Sequence, residues 1–360
     1  MTALGPGPGS ATRLDVSVPV RLAVIGAGFI GKKHIQTIAA QSGADLVAIS
    51  DIAPDAADIA DQYGVPFHTD VRDMLASVKP DGVVVCTPTV LHLEPTLAAL
   101  EAGAHVLLEK PIASSLEDAR AIVAGAEQAD RSVLVGHHRR FNPTLARARD
   151  IVSGGDIGSL VLVNGQWSVK KHEGYFSPSW RKERAAGPVL TNLVHEIDTI
   201  RFVCGEIRSI SAEVSNTVHG FEKEDSAAVV MTFESGALGA FTISDSAPSP
   251  WSWEQATGEN PVFPVAGQNT HRFTGSEAAL EFPRLTLWRH ENSSASWHDP
   301  INHVALDEDH GDPFTSQCEH FIAVVRGDDA PLISADDGTR SLAATLAVFE
   351  AAETGARVLL

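Results

Sequence analysis

The sequence predicts a two-domain chain: an α/β domain on a doubly wound parallel sheet, followed by an α+β domain with a mostly antiparallel open sheet. Three observations lead there. Strand-like and helix-like stretches alternate through residue 136, the rhythm of successive βαβ units. Gly26, Gly28 and Gly31 fall between an apolar run and a helical stretch. Past residue 142, longer runs with a period of two appear, the pattern of a sheet covered on one face. Residues 1–18 read as a flexible tail, 19–138 as the first domain and 139–360 as the second. The C-terminal helices are expected to pack on the second sheet or return to the first domain.

The tail mixes Gly and Pro and shows neither the continuous apolar stretch of a secretion signal nor a twin arginine. Strands are expected over 21–25, 45–50, 82–87, 105–109 and 132–136, with helices over 29–40, 54–62, 91–102 and 116–129. Ser114 and Glu117 have capping-box spacing, which gives the last of these helices a defined start. In the second domain the alternating runs are 160–169, 207–214, 227–233 and 237–244. Two helices follow near the end, 313–325 behind Asp312 as cap and 339–352. Residues 246–269 are rich in Pro, Gly and Trp and have no period, so they read as a long functional or mobile loop.

The glycine turn points to a dinucleotide. In RLAVIGAGFIGKKH, Gly26 permits a tight turn, Gly28 lets backbone N–H groups approach a pyrophosphate, and Gly31 lets the helix pack close to the strand. Phe29 and Ile30 lie in the first helical turn, which faces the phosphates. Asp51 ends the next apolar run, twenty residues after Gly31, where a carboxylate accepts hydrogen bonds from the adenosine ribose. It would repel a 2′-phosphate, and Ile52 beside it offers no cation, so NAD is expected in preference to NADP. The first domain is therefore expected to bind a dinucleotide on its doubly wound sheet.

Composition narrows the partners. With 360 residues and 44% hydrophobic content the chain can fill two ordinary cores. A formal charge of −19 argues against nucleic acid and anionic membrane surfaces, and no stretch is long and apolar enough for a membrane span. A cytoplasmic location is the expectation. Cys86, Cys204 and Cys318 are odd in number and far apart, and each reads as a small buried hydrophobe. His195 is followed by Glu196, Ile197 and Asp198 and not by a second histidine at ligand spacing, so no metal is expected.

Two places could carry acid–base chemistry. Lys110 follows a strand and precedes Pro111, which sets it at the ligand edge of the sheet. A positive nicotinamide nearby and partial burial would lower its pKa. A solvated ion pair explains such a lysine equally well. In GPVLTNLVHEIDTIRF, Pro188 suits a first helical position, and Thr191, His195 and Asp198 are spaced to share a polar helix face. A histidine there can take an alcohol proton, although a satisfied buried imidazole reads the same in sequence. Thr87 and Pro88 belong to a loop suited to the nicotinamide ribose and pyrophosphate, or to a simple Pro turn. Arg139, Arg140 and Arg181 are candidates for orienting cofactor or substrate, or for structural ion pairs. Trp167, Trp180, Trp251 and Trp253 offer either sugar-covering faces or anchors, and His137 and His138 either reach substrate or pack.

The order RLAVIGAGFIG, CTPT with His92, EKP, GHHRRFNP, Trp180 with Arg181, NLVHEID and ADDGTRSL resembles the Gfo/Idh/MocA oxidoreductases over roughly residues 20 to 355. The resemblance implies an N-terminal NAD-binding Rossmann domain, a second-domain sheet used in a homodimer or homotetramer, and NAD(P)-linked oxidation or reduction of a small polyhydroxylated substrate such as a sugar, polyol or cyclitol. It makes Lys110 and His195 the catalytic candidates. Gly26, Gly28, Phe29, Ile30, Gly31, Asp51, Thr87, Pro88, His92, Glu109 and Lys110 become the cofactor set, and Trp180, Arg181, Thr191 and Asn192 the substrate set. Many relatives carry Asp where this chain has Thr191, so neutral hydrogen bonds replace a carboxylate there. Two other functions stay open: redox-assisted glycosidic cleavage or sugar–sugar exchange on tightly held NAD, and noncatalytic NAD sensing.

Overall fold

The computed structural model describes residues 18–292, 294–307 and 311–360, so the tail expected over 1–18 lies almost entirely outside the described residues. The chain divides into two compact units. The first runs to Gly136 and takes in Gln317–Asp336; the second comprises His137–Ser316 and Asp337–Leu360.

The first unit follows the predicted alternation: β1 (Val20–Ile25), α1 (Phe29–Ala39), β2 (Ala44–Ser50), α2 (Ala57–Tyr63), β3 (Phe67–His68), α3 (Val71–Val78), β4 (Gly82–Val85), α4 (Leu93–Glu101), β5 (His105–Leu108), α5 (Leu116–Ala129) and β6 (Val133–Val135). All its strand pairs are parallel, in the order β3-β2-β1-β4-β5-β6. The order reverses direction between β1 and β4, which opens a ligand crevice at their carboxyl ends. Continuous apolar runs such as Val83 to Val85 and Val106 to Leu108 are fully buried, as strands covered on both faces require. The strand β3 and helix α3 are additions to the expected set. The cap of α5 is Ser115, whose side chain accepts from the Asp118 N–H, one residue beyond the Ser114–Glu117 pairing expected.

The second unit contains α6 (Pro143–Ser153), β7 (Leu160–Ser168), α7 (Val194–Cys204), β8 (Ile207–Ser215), β9 (Ser226–Phe233), β10 (Leu238–Ser244), α8 (Trp253–Thr257), β11 (His271–Gly275), β12 (Ala278–Phe282), β13 (Thr286–Arg289) and β14 (Asn302–Ala305). The helices α9 (Pro313–Arg326) and α10 (Ala335–Thr354) follow, and β15 (Val358–Leu359) ends the chain. Its nine-stranded sheet runs β14-β13-β12-β11-β7-β10-β9-β8-β15 and is antiparallel except for the β7–β10 pair. One face is buried through Val163, Phe241, Phe273 and Leu280, against Leu145 and Ile151 of α6, Ile197 and Ile200 of α7 and Val348 of α10. In α9, residues from Gln317 onward belong to the first unit, where Phe321 lies against Gly82. No helix among the described residues is long and apolar enough to cross a membrane.

The expected loop at 246–269 is tethered at several points. Trp253 is buried, the Trp167 indole donates to Glu254, and Glu259 accepts from both Trp253 and Asn142. Cys86 and Cys318 are buried and Cys204 is half-buried; burial raises all three thiols, Cys318 to about 12.

Candidate active site

The carboxyl edge of the parallel sheet gathers the residues expected to hold a dinucleotide. After β1 the chain turns at Gly26 with φ of +91°, and a Cβ there would come within 2.8 Å of the Cys86 carbonyl. A Cβ on Gly31 would lie 1.9 Å from the Gly26 carbonyl oxygen, so α1 packs directly on the turn. Gly28 meets nothing within 4 Å and faces open space. It is also the N-cap of α1 and carries no capping side chain, which leaves the first-turn N–H groups available to an anion. This cradle fits a pyrophosphate.

At the end of β2 both oxygens of Asp51 are fixed. Oδ2 accepts from the Ala27 N–H at 2.6 Å and Oδ1 from the Ala53 N–H at 2.8 Å. Each oxygen keeps a second lone pair for a ribose hydroxyl. Phe29 and Ile52 are 86% and 85% exposed, apolar side chains on the rim of this edge. Ile30 is half-buried.

Thr87 and Pro88 form the loop leaving β4, and His92 ties it to the loop after β5. The His92 ring places Nε2 2.9 Å from the Thr87 carbonyl and Nδ1 3.0 Å from the Pro111 carbonyl. Burial holds this imidazole below its ordinary pKa, and a neutral ring carries one N–H, so it donates to one of these two carbonyls at a time. Glu109 is likewise buried: Oε1 meets His34 Nε2 at 2.9 Å and Oε2 accepts the Lys110 N–H at 3.1 Å. Lys110 thus stands at the head of β5 on a backbone held from two sides, followed by a cis peptide bond to Pro111.

In the second unit, short 3-10 turns over Ser179–Lys182 and Arg184–Ala186 lead to the helix that carries Thr191, Asn192 and His195. Trp180 is exposed, and Arg181 lies over the Tyr175 ring at 4.2 Å while donating to the Tyr175 carbonyl. The segment Val189–Leu193 is a π turn, with α7 proper beginning at Val194. Such wide turns recur at functional sites. Thr191 Oγ1 lies 2.9 Å from both the Gly187 carbonyl and Asn192 Oδ1.

The helix face expected to carry Thr191, His195 and Asp198 is largely enclosed: a wide turn precedes α7, and α7 is buried nearly all round. Asp198 accepts Arg140 through both oxygens, Oδ1 at 2.6 Å and Oδ2 at 2.9 Å, and Ser341 Oγ donates to it. Burial alone would raise its pKa, but the charges of His137 and Arg140 and these hydrogen bonds bring it well below the usual carboxylate range. Arg139 is matched in the same way by Glu196 at 2.6 Å. Among the alternatives open for Arg139 and Arg140, the ion-pair role is the one the structure displays.

His195 is 8% exposed and packs edge-on against two rings of its own unit. His138 lies 5.4 Å away between centroids and His137 6.3 Å away. His138 stacks on Phe314 and meets Glu259 Oε1 at 3.0 Å. Burial would raise Glu259, but the hydrogen bond and charge of His138, with help from Arg139 and Asn142, lower its pKa. Glu254 and Glu259 escaped sequence reasoning because they lie in an aperiodic segment. The only hint was the run of cationic and titratable residues in GHHRRFNP, which needs carboxylates from elsewhere.

Residues 20–137 match the oxidoreductase family with an NAD-binding Rossmann fold, and residues 145–281 match the Gfo/Idh/MocA C-terminal domain. The chain is 29% identical over 346 residues to 1,5-anhydro-D-fructose reductase of Ensifer adhaerens, across 93% of this chain and 97% of the relative. It is 27% identical over 380 residues to D-glucoside 3-dehydrogenase of Escherichia coli (strain K12), across 96% and 98% of the two chains. A solved oxidoreductase from Agrobacterium radiobacter, in complex with NAD+, L-tartaric acid and magnesium, superposes with a TM-score of 0.81 at 18% identity. That superposition covers 95% of this chain and 98% of the other, and shows a common fold. With its glycine turn, its parallel sheet and the sheet domain that follows all matched, the chain belongs to the Gfo/Idh/MocA family of oxidoreductases.

Proposed function

We propose that the protein is an NAD-dependent dehydrogenase that oxidises a secondary alcohol of a sugar, sugar acid or cyclitol, or reduces the corresponding ketone. The observation that carries this reading is the cradle at the sheet edge: two glycines that admit no Cβ, a third facing open space, and the Asp51 carboxylate fixed by two backbone N–H groups. A fixed carboxylate favours the free ribose of NAD over a 2′-phosphate. When bound, the nicotinamide supplies the hydride acceptor. The residues of the chain supply the proton chemistry. His195 takes the hydroxyl proton, and Lys110 hydrogen-bonds the substrate oxygen and shares its proton. His138, held by Glu259, orients the His195 ring from the side. Thr191 and Asn192 offer neutral hydrogen bonds to hydroxyls, and Trp180 with Arg181 an aromatic and cationic wall.

Relatives named for anhydrofructose and for glucosides support the carbohydrate class. The test is a screen of polyols, cyclitols, aldoses and sugar acids, followed by NADH absorbance with NAD and NADP in parallel. Reduction of NAD by a polyhydroxylated alcohol, lost in Lys110→Ala and His195→Ala, is the expected result. Near wild-type rates in both variants would overturn the residue roles. Product formation without net NADH release would point to redox exchange on retained cofactor.

The partner we infer is a second copy of this chain on the open face of the nine-stranded sheet. Leu238 pairs with Leu162 there, Val230 lies on the next strand, and these side chains are exposed beside Ala228, Ala240 and Thr242. An exposed apolar sheet face of this kind suits an isologous interface.

A further inference from the structure

A cavity of about 640 Å³ in the second unit is lined by Lys170, Lys171 and Lys182, with Phe176 and Phe221 among its walls. Its size falls in the range of small-molecule sites. The whole chain has eight lysines and a formal charge of −19, yet three of those lysines line this cavity and a fourth, Lys223, lies over the Phe176 ring. Such concentration in an acidic protein needs a reason.

The lysines fall into two pairs. Lys223 and Lys171 share one buried carboxylate, Asp245, at 2.7 and 3.4 Å. Lys170 and Lys182 have no carboxylate partner among the described residues, and Glu173 is the one acidic side chain in the lining. Lys182 Nζ lies 5.3 Å over the Phe221 ring, and with two ammonium groups lacking a carboxylate the cavity favours an anion. A neutral polyol gains far less from them.

The walls are built. Asp225 Oδ2 accepts from the backbone N–H groups of both Val218 and His219, which fixes the loop bearing His219. His219 stacks on Phe221, and Phe176 packs against both rings. His219 Nε2 is enclosed and has no hydrogen-bond partner among the described residues. The Tyr175 N–H donates to His172 Nδ1, which leaves the proton of a neutral His172 on Nε2 as a donor. We propose that this cavity binds an anionic small molecule, its carboxylate or phosphate held by Lys170 and Lys182 and its body against Phe176 and Phe221.

The test uses the full chain saturated with NAD, so that the pyrophosphate cradle is filled. Inorganic phosphate and citrate are titrated separately by calorimetry, each against chloride at matched ionic strength. Saturable binding of either anion is expected. The double variant Lys170→Gln with Lys182→Gln should weaken it by at least about tenfold, while Lys79→Gln, in the first unit, leaves it unchanged. Without added anion the double variant should unfold no earlier than wild type, because it removes repulsion and breaks no ion pair. Absence of saturable binding by wild type, or equal affinity in the double variant, would overturn the proposal. Cofactor affinity is measured first, so failure of the dinucleotide reading shows separately.

Discussion

Replacing Asp51 by Ala should collapse discrimination between NAD and NADP. The carboxylate is pinned by the Ala27 and Ala53 N–H groups at 2.6 and 2.8 Å, so it cannot swing away from an incoming 2′-phosphate. Two unit charges held at about 4 Å interact by about 4 kcal/mol at an effective dielectric of about 20, and solvent at this open edge reduces that further. A net penalty of about 2–3 kcal/mol against NADP corresponds to roughly 30- to 150-fold. Loss of a ribose hydrogen bond to a charged acceptor costs about 1.5–3 kcal/mol, or about 10- to 150-fold in NAD affinity. Asp51→Ala should therefore weaken NADH and tighten NADPH, moving their ratio by about a thousandfold. Adding Ile52→Arg at this highly exposed position supplies a cation and should carry preference over to NADPH. Fluorescence titration of the two reduced cofactors reads the ratio directly. A wild-type preference for NADPH, or an unchanged ratio in Asp51→Ala, would refute the reasoning.

Four further outcomes follow from the same geometry. Asp198→Asn leaves the buried Arg140 guanidinium with Asp337 as its remaining carboxylate, and should cost about 3 kcal/mol of stability in urea unfolding. His105 titrates at about 4, because burial and then the Arg131 charge disfavour its protonated form. Its folded value lies below the unfolded 6.5, so the unfolded chain binds more protons in that window and stability falls as pH drops through it. In His105→Asn the side-chain oxygen can still accept the Ser132 N–H, and the urea midpoint should vary less between those two pH values. Glu259→Gln removes the charge that holds His138 and should lower kcat by about tenfold with a displaced pH profile, whereas a purely structural role would move only stability. Val230→Glu with Leu238→Glu places charges on the open sheet face, and light scattering should then report a monomer.

The parts of the fold visible in sequence are those set by local rules. Gly26 and Gly31 are demanded by backbone geometry, and the buried parallel strands by continuous apolar runs, so both could be placed from neighbours a few residues away. The site residues of the second unit answer to distant partners. Arg140 and Asp337 are 197 positions apart, and His138 finds Glu259 in a segment with no period. The π turn at Val189–Leu193 leaves the same amino-acid pattern as an ordinary helix start, so the sequence does not announce it. The short strands β11 to β14 carry too few residues each for a period of two to declare itself.

The account rests on hydride transfer with His195 as the proton acceptor, and isotope transfer tests it most directly. The best alcohol from the screen, deuterated at its carbinol carbon, is incubated with NAD and the protein, and the reduced cofactor is weighed by mass spectrometry. The account predicts one deuterium in the nicotinamide ring with wild type and little reduced cofactor with His195→Ala. Unlabelled reduced cofactor, or labelling at the wild-type rate in His195→Ala, would contradict it.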